Sequence, residues 1–208
     1  EPSLAWEVGA ETRVGEFASV GATFFHQSFE DLIQYTFSPP DPSDPNYFNV
    51  AAAQARGIEL DVDLRRGPWS GSLSGSWVDT EVTDSGFDDG AGATFVDGEA
   101  LLRRPTWKGA AQAAVDLGAV SVSTRLAWVG TRSDRDFSTF PASPVQLDAY
   151  TLLSMRLAFV AVEPAAGRPG LSLTLTGENL LDREYSEIFG FPTPGRGLYL
   201  GGQIVVGG

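Results

Sequence analysis

The chain has 208 residues, a net charge of -13 and no cysteine. These values exclude a disulfide framework and a thiolate zinc site. They also argue against nucleic acid as a partner, because a phosphate backbone is bound by a basic surface. No apolar run approaches the roughly 18 residues of a membrane-spanning helix. The 24 glycines and the many aromatic residues favour strands and turns over helices.

Alternation of apolar and polar residues predicts strands along the whole chain. In the stretch LSLTLTG, for example, Leu171, Leu173 and Leu175 alternate with serine and threonine. A period of two residues is the signature of a strand with one apolar and one polar face. We predict about nine strands, near residues 4–14, 17–36, 47–65, 68–82, 105–117, 119–132, 146–162, 170–178 and 196–206.

The predicted connections alternate in length. Short turns lie at 15–16, 67–68, 118–119 and 163–169, and long polar loops lie at 37–46, 83–104, 133–145 and 179–195. Transmembrane β-barrels show this asymmetry, with short periplasmic turns and long outer loops. Trp69 and Trp77, near opposite ends of one strand, fit their interfacial aromatic girdles. The sequence therefore predicts an all-β, antiparallel meander in a transmembrane β-barrel. A soluble β-sandwich is the alternative, since its strands alternate too.

Five short motifs occur in the order found in one protein family. Two of them are ARGIEL and NLLDREYSEIFGFPTPGR, which contain Arg56, Gly57 and Glu59, and Asn179, Leu180, Asp182, Tyr185, Pro194, Gly195 and Arg196. The others are WEVGAETRV, RRPTWKGAAQAAVDL and LDAYTLLSMRLAF. Through these motifs the chain resembles the TonB-dependent outer-membrane receptors, nearly from end to end.

The resemblance implies a receptor in the outer membrane of a Gram-negative bacterium. Such receptors take up a scarce nutrient, such as an iron–siderophore complex or cobalamin, and draw energy from the TonB complex. Their barrels have about 22 strands around an internal plug. Residues 1–208 are therefore expected to be the C-terminal part of a receptor-like barrel, without the plug domain. The expected partners are outer-membrane lipids, lipopolysaccharide, the plug domain, the TonB complex and an unidentified small-molecule ligand.

In such a barrel one set of alternating residues would face the lumen. The charged candidates are Glu59, Asp61, Asp63, Arg65, Arg125 and Arg156. The arginines could bind an anionic siderophore or pair with nearby acids. Acidic residues in the loops at 83–104 and 179–195 could bridge to lipopolysaccharide through divalent ions, contact a cationic ligand, or only keep the loops soluble.

Catalytic chemistry has little support in the sequence. GSLSG places Leu73 where the G-x-S-x-G motif has its nucleophile, and the single histidine, His26, has no second histidine for a zinc pair. DSGFDDG does not match a calcium loop. We therefore expect no enzyme and no cofactor. Two alternatives to the receptor are a small autonomous barrel acting as a passive pore or scaffold, and a soluble acidic β-sandwich that acts as a binding module.

Overall fold

The structure is a computed structural model that describes residues 2–35, 41, 43, 45–86, 93–165 and 168–206. No helix within these residues is long and apolar enough to cross a membrane. The strands are β1 (Ser3–Val14), β2 (Ala18–Tyr35), β3 (Tyr47–Arg66), β4 (Trp69–Asp84), β5 (Trp107–Asp116), β6 (Val120–Val129), β7 (Arg132–Asp136), β8 (Ser143–Leu147), β9 (Tyr150–Val162), β10 (Gly170–Glu178) and β11 (Gly197–Val205).

Nine strands form one antiparallel sheet in the order β1-β2-β3-β4-β5-β6-β9-β10-β11. This order is a meander, and it confirms the nine predicted strands. The two edge strands do not pair with each other, so the barrel is not closed within this chain. The predicted loop at 133–145 differs from expectation, because most of it belongs to a separate hairpin of β7 and β8. The sequence RSDRD of β7 has no apolar residue, so alternation could not reveal it.

Tight turns at one end hold the strand register. Gly67 and Gly118 have φ values of 58° and 81°, a left-handed conformation that glycine adopts without steric cost. From the first turn, β3 and β4 run as partners from the pair Arg66–Trp69 to the pair Ala53–Val82 without a shift. The predicted loop at 37–46 and the centre of the loop at 83–104 lie largely outside the described residues.

One face of the nine-stranded sheet is apolar across its width. Neighbouring strands place Val62 opposite Leu73, Leu126 opposite Leu153, and Leu157 opposite Leu175. The central leucines of this face are 53, 50, 42, 42 and 41% exposed at Leu60, Leu73, Leu126, Leu157 and Leu173. A β-sandwich would bury them between two layers. Among the described residues no second layer covers them, so the sandwich alternative is wrong.

Aromatic side chains mark the limits of the apolar face. The rings of Trp77 and Trp107 lie 6.4 Å apart on adjacent strands, and those of Trp6 and Phe24 lie 5.5 Å apart further along the sheet. Trp69 lies on the same face as Trp77, eight positions away, which is about 26 Å along the strand. With the usual strand tilt this length corresponds to about 20 Å of height, close to the apolar band of an outer-membrane barrel.

The most buried side chains lie at the end of the sheet opposite the tight turns. The apolar ones are Ala51, Ala53, Ala55, Val82, Ala93, Leu147 and Tyr150. The long loops pack on this end, so the well-packed part of the structure is where the loops meet the sheet. These loops and the polar face beside them therefore form the candidate site.

Candidate functional site

The six charged residues predicted to face the lumen lie on the face opposite the leucines. The register places Glu59 beside Ser76, Asp61 beside Ser74, Asp63 beside Ser72, Arg65 beside Ser70, Arg125 beside Gln112, and Arg156 beside Ser123. All six are exposed. Because their neighbours are mostly small serines, the charged groups stand clear of the sheet. We call this face the polar wall.

Five of the six charges on the polar wall form an acidic group and a basic group on different strands, and they are unpaired. Glu59, Asp61 and Asp63 lie on β3, whereas Arg125 and Arg156 lie on β6 and β9. No ion pair of the described residues includes any of the five. Pairing with nearby acids, one of the two roles predicted for the arginines, is therefore not seen for Arg125 and Arg156 among the described residues, and binding of an anionic ligand stays a prediction. Open cavities of about 760 Å³ and 370 Å³ border the wall, so the charges are accessible to water or to a partner.

The Arg-Gly-x-Glu motif of β3 has residues on both faces. Arg56 lies on the apolar face and donates through Nε and Nη2 to Asp79 at 3.0 and 2.8 Å. Both side chains are exposed, so this pair contributes at most about 1 kcal/mol. Gly57 lies on the opposite face, as does Glu59. A Cβ atom at Gly57 would lie 2.6 Å from the ring of Phe25, so only glycine allows this ring to cross the strand.

The polar residues of the second motif close the loop at 179–196. Asn179 is 7% exposed; it accepts the backbone N–H of Arg183 at 2.9 Å and donates to the carbonyls of Arg183 and Pro194 at 2.9 and 3.4 Å. Asp182 accepts the backbone N–H of Arg196 at 2.9 Å and also contacts its guanidinium at 3.3 Å. These bonds join the beginning of the loop to its end.

The remaining residues of this motif fill space around that closure. The Leu180 side chain covers Gly177, where a Cβ atom would lie 2.6 Å from it. The ring of Tyr185 lies 4.4 Å from the ring of Tyr150. A Cβ atom at Gly195 would lie 3.2 Å from the carboxylate of Asp182. The motif therefore shapes a compact loop, in which the side chains of Asn179 and Asp182 bond to other residues of the same loop.

Asp134 in β7 joins two distant loops. Its side chain is fully buried and accepts three hydrogen bonds: from Arg103 Nε at 2.8 Å, from the backbone N–H of Phe189 at 2.8 Å, and from that of Arg135 at 2.9 Å. Desolvation acts to raise the pKa of this carboxyl. The two backbone N–H groups and the Arg103 guanidinium outweigh that effect, so the pKa of Asp134 lies below its usual value.

Two further arginines of β7 extend this connection. Arg132 is almost completely buried; it donates to the carbonyl of Ser186 at 2.6 Å and to Glu187 at 3.1 Å, and it lies 5.3 Å from the ring of Tyr150. The Tyr150 hydroxyl also donates to Glu187. The second arginine, Arg135, is buried, and its guanidinium lies 3.7 Å from the carboxylate of Glu99. We call Glu99, Arg103, Arg132, Asp134, Arg135, Glu187 and Phe189 the outer-loop cluster.

Residues 1–180 match the family model of the TonB-dependent receptor-like β-barrel. The chain belongs to this family. Its fold is also similar to three solved structures. The FrpB iron transporter from Neisseria meningitidis (F3-3 variant) has a TM-score of 0.72 and 15% identity, and the match covers 96% of this chain and 30% of that one. The ferripyoverdine receptor of Pseudomonas aeruginosa has a TM-score of 0.72 and 13% identity, with 98% of this chain and 27% of that one covered. The ferric-catecholate import receptor Fiu from E. coli K12 has a TM-score of 0.69 and 15% identity, with 98% of this chain and 27% of that one covered. The chain spans less than a third of each.

The TonB-dependent receptor motifs include only part of the outer-loop cluster: Arg103, Glu187 and Phe189 lie within two of them. Arg132, Asp134 and Arg135 lie outside the motifs, and their partners lie tens of residues away, where a single sequence does not show the contact. One signal was present: two arginines and two aspartates within five residues of an apolar-poor loop. Charges of both signs at that density are a reason to expect ion pairing with another segment.

The sequence left three roles open for the acidic loop residues, namely contact with lipopolysaccharide, contact with a cationic ligand, or solubility of the loops. Several of these residues make local bonds in the structure. Asp84 accepts the backbone N–H of Gly86 at 2.8 Å, and Asp97 accepts that of Ser85 at 2.5 Å. Asp182 bonds to Arg196, and Glu187 bonds to Arg132 and Tyr150. Asp88 and Asp89 lie outside the described residues. In the described part of the chain, no group of three or more side chains is arranged to hold a metal ion.

Replacing Asn179 with alanine should open the loop at 179–196. The change removes three hydrogen bonds of a nearly buried side chain, which predicts a local cost of about 1–3 kcal/mol. Limited proteolysis of the folded receptor should then cleave this loop faster. Asn179→Asp, which keeps the acceptor oxygen and loses the donors, should show an intermediate rate. Unchanged cleavage in Asn179→Ala would contradict the closing role.

Proposed function

We propose that this chain is the C-terminal part of the barrel of a TonB-dependent receptor in the outer membrane of a Gram-negative bacterium. The receptor imports a scarce nutrient, such as an iron–siderophore complex or cobalamin, without chemical change. One observation carries the proposal: a single curved layer has an exposed apolar face backed by a polar wall of unpaired charges. In lipid, such a layer satisfies its backbone groups only as part of a closed barrel.

The partners follow from the two faces. The apolar face contacts lipid, and lipopolysaccharide surrounds the outer ends of the strands. The polar wall faces the plug domain, which lies outside residues 1–208. Three solved structures of similar fold are named as an iron transporter, a ferripyoverdine receptor and a ferric-catecholate import receptor, which favours an iron chelate as the ligand. That ligand contacts the outer loops and the polar wall.

The free edges of the sheet favour the receptor over a passive pore. β1 and β11 each have a neighbour on one side only. A pore made by these residues alone would leave both edges unpaired in lipid, where each unsatisfied backbone group costs several kcal/mol. In the receptor, the other strands of the barrel pair with these edges.

Transport by the complete receptor tests the proposal. The receptor that contains this chain is produced in a Gram-negative host lacking its own ferric-siderophore and cobalamin receptors, with or without TonB. Uptake of radiolabelled ferric siderophores and of labelled cobalamin is measured, and surface antibody labelling confirms equal display. We expect uptake of one of these classes only in cells that have TonB. Equal uptake without TonB would indicate a passive pore, and uptake of neither class would refute the proposed nutrient.

A further inference from the structure

An apolar cavity interrupts the polar wall near the outer end of β2, β3 and β4. Its volume is about 520 Å³, within the range of small-molecule sites. The apolar side chains that line it are Phe25, Phe29, Leu32, Val78, Phe95 and Leu101. They lie on the face that carries charged residues elsewhere, so contact with membrane lipid does not explain them. We call this space the β2–β4 cavity.

Small residues of β3 lie along the β2–β4 cavity, and one of them, Ala55, lines it as its floor. Ala51, Ala53, Ala55 and Gly57 occupy successive positions on one face of this strand. Each has a larger partner on β2: Leu32, Phe29, Gln27 and Phe25, respectively. Ala51, Ala53 and Ala55 are 0, 1 and 8% exposed. These small residues leave space beside the larger side chains of β2, and the sheet hydrogen bonds hold the strands in this register.

The roof is the loop that follows β4, and it is bonded to the strand. The N–H of Val82 donates to the carbonyl of Glu99 at 2.8 Å, and the N–H of Gly98 donates to the carbonyl of Val82 at 2.9 Å. The N–H of Leu101 donates to Thr80 Oγ1 at 3.1 Å. With floor and roof both held by hydrogen bonds, the cavity does not need a ligand to keep it open.

A single cation borders the cavity. Arg104 is exposed, and within the described residues it has no hydrogen bond or ion pair. The adjacent Arg103 differs, since its guanidinium is bonded to Asp134. No carboxylate is among the described residues that line the cavity. An apolar space with one unpaired guanidinium at its edge suits a group that is apolar at one end and anionic at the other.

We propose that the β2–β4 cavity binds an aromatic ring or short acyl group that carries an adjacent anionic group. The ring or chain lies among the three phenylalanines, and the anion pairs with Arg104. The inference deepens the proposed function and rests on it in one respect, namely that the bound group is part of the imported ligand. Binding itself does not depend on transport and can be measured separately.

Equilibrium dialysis with 2-naphthoate tests this assignment. The complete receptor is reconstituted in lipid nanodiscs, empty nanodiscs supply the background, and neutral 2-naphthalenemethanol serves as the uncharged probe. Ala55→Leu fills the floor and should weaken 2-naphthoate binding at least tenfold. Ala110→Leu, a change to the polar wall outside the cavity, should not. Arg104→Gln should weaken 2-naphthoate about tenfold, the effect of losing a hydrogen bond to a charged group, and leave the neutral probe unchanged. Arg104→Lys should retain most binding.

The outcomes separate this inference from the proposed function. If the wild type shows no saturable binding of 2-naphthoate, the inference about the β2–β4 cavity is overturned. This would be the result if another part of the receptor fills the cavity. Equal binding by wild type, Ala55→Leu and Arg104→Gln would overturn the inference as well. If Ala55→Leu does not fold, the exposed Arg104 decides the matter, since its replacement leaves the packing intact. Loss of TonB-dependent uptake with retained probe binding would count against the proposed function alone.

Discussion

Replacement of Asp134 by alanine is expected to separate the outer loops and to destabilise the outer-loop cluster by about 3–5 kcal/mol. The change removes the shared acceptor of Arg103, Phe189 and Arg135. Two of these donors are backbone N–H groups beside a fully buried carboxylate, and each buried donor left unsatisfied costs about 1–3 kcal/mol. Hydrogen exchange at the amides of Arg135 and Phe189 measures this local opening directly.

A neighbouring carboxylate provides the matched control. Asp136 lies two positions further along β7, and its carboxylate accepts from the backbone N–H and the hydroxyl of Ser138, with no other partner among the described residues. Asp136→Ala should therefore leave exchange in the loop at 179–196 unchanged. Asp134→Asn keeps an acceptor oxygen but loses the charge, so its amides should exchange at an intermediate rate. Equal exchange in Asp134→Ala and the wild type would show that the loops are held by other contacts.

The lowered pKa of Asp134 also predicts how the cluster responds to acid. Its folded-state value lies below the ordinary 3.8. A group of this kind stabilises the fold at every pH above the unfolded-state value and loses that effect as the pH falls through the folded-state value. Protection of the cluster amides should therefore stay constant from neutral pH to about 4 and decline only below that. A decline that begins near pH 6 would point to another group.

The sheet could be predicted from the sequence because each strand has two different surroundings. In β3, Leu60 lies on the apolar face and Glu59 lies on the polar wall, and a one-residue shift in register would exchange these positions. The sequence must therefore alternate wherever a strand lies between lipid and polar surroundings, and that alternation is local information. The tight turn at Gly67 is local in the same sense, because its positive φ is a property of one residue.

The outer-loop cluster could not be predicted in this way. Arg103, Asp134 and Phe189 are far apart in the chain, and none of them lies in a repeating pattern. Their contact depends on where three loops are carried by the strands, which is a property of the whole sheet. The motif at 179–196 is intermediate between the sheet and the outer-loop cluster. Its resemblance to the family identified Asn179 and Asp182, but only the structure shows that these residues close a loop.

The orientation of the two faces gives the other prediction with a large effect, and one strand contains both the test and its control. Leu73 lies on the apolar face midway between Trp69 and Trp77, and Ser74 follows it on the polar wall. Leu73→Arg should destabilise the receptor in lipid by about 2–4 kcal/mol, the cost of an arginine facing lipid at the midplane. Ser74→Arg should cost far less, because the cross-strand partner of Ser74 is the unpaired Asp61.

Urea titration of the complete receptor folded in phospholipid vesicles measures this difference, with heat-modifiable gel mobility reporting the folded fraction. The two variants place the same arginine at adjacent positions of one strand, so the added charge is equal, and the difference between them reports mainly the surroundings of each face. Equal destabilisation by both substitutions, or a larger cost at Ser74, would mean that the leucine face does not contact lipid. The transmembrane barrel and the receptor function proposed from it would then both be wrong.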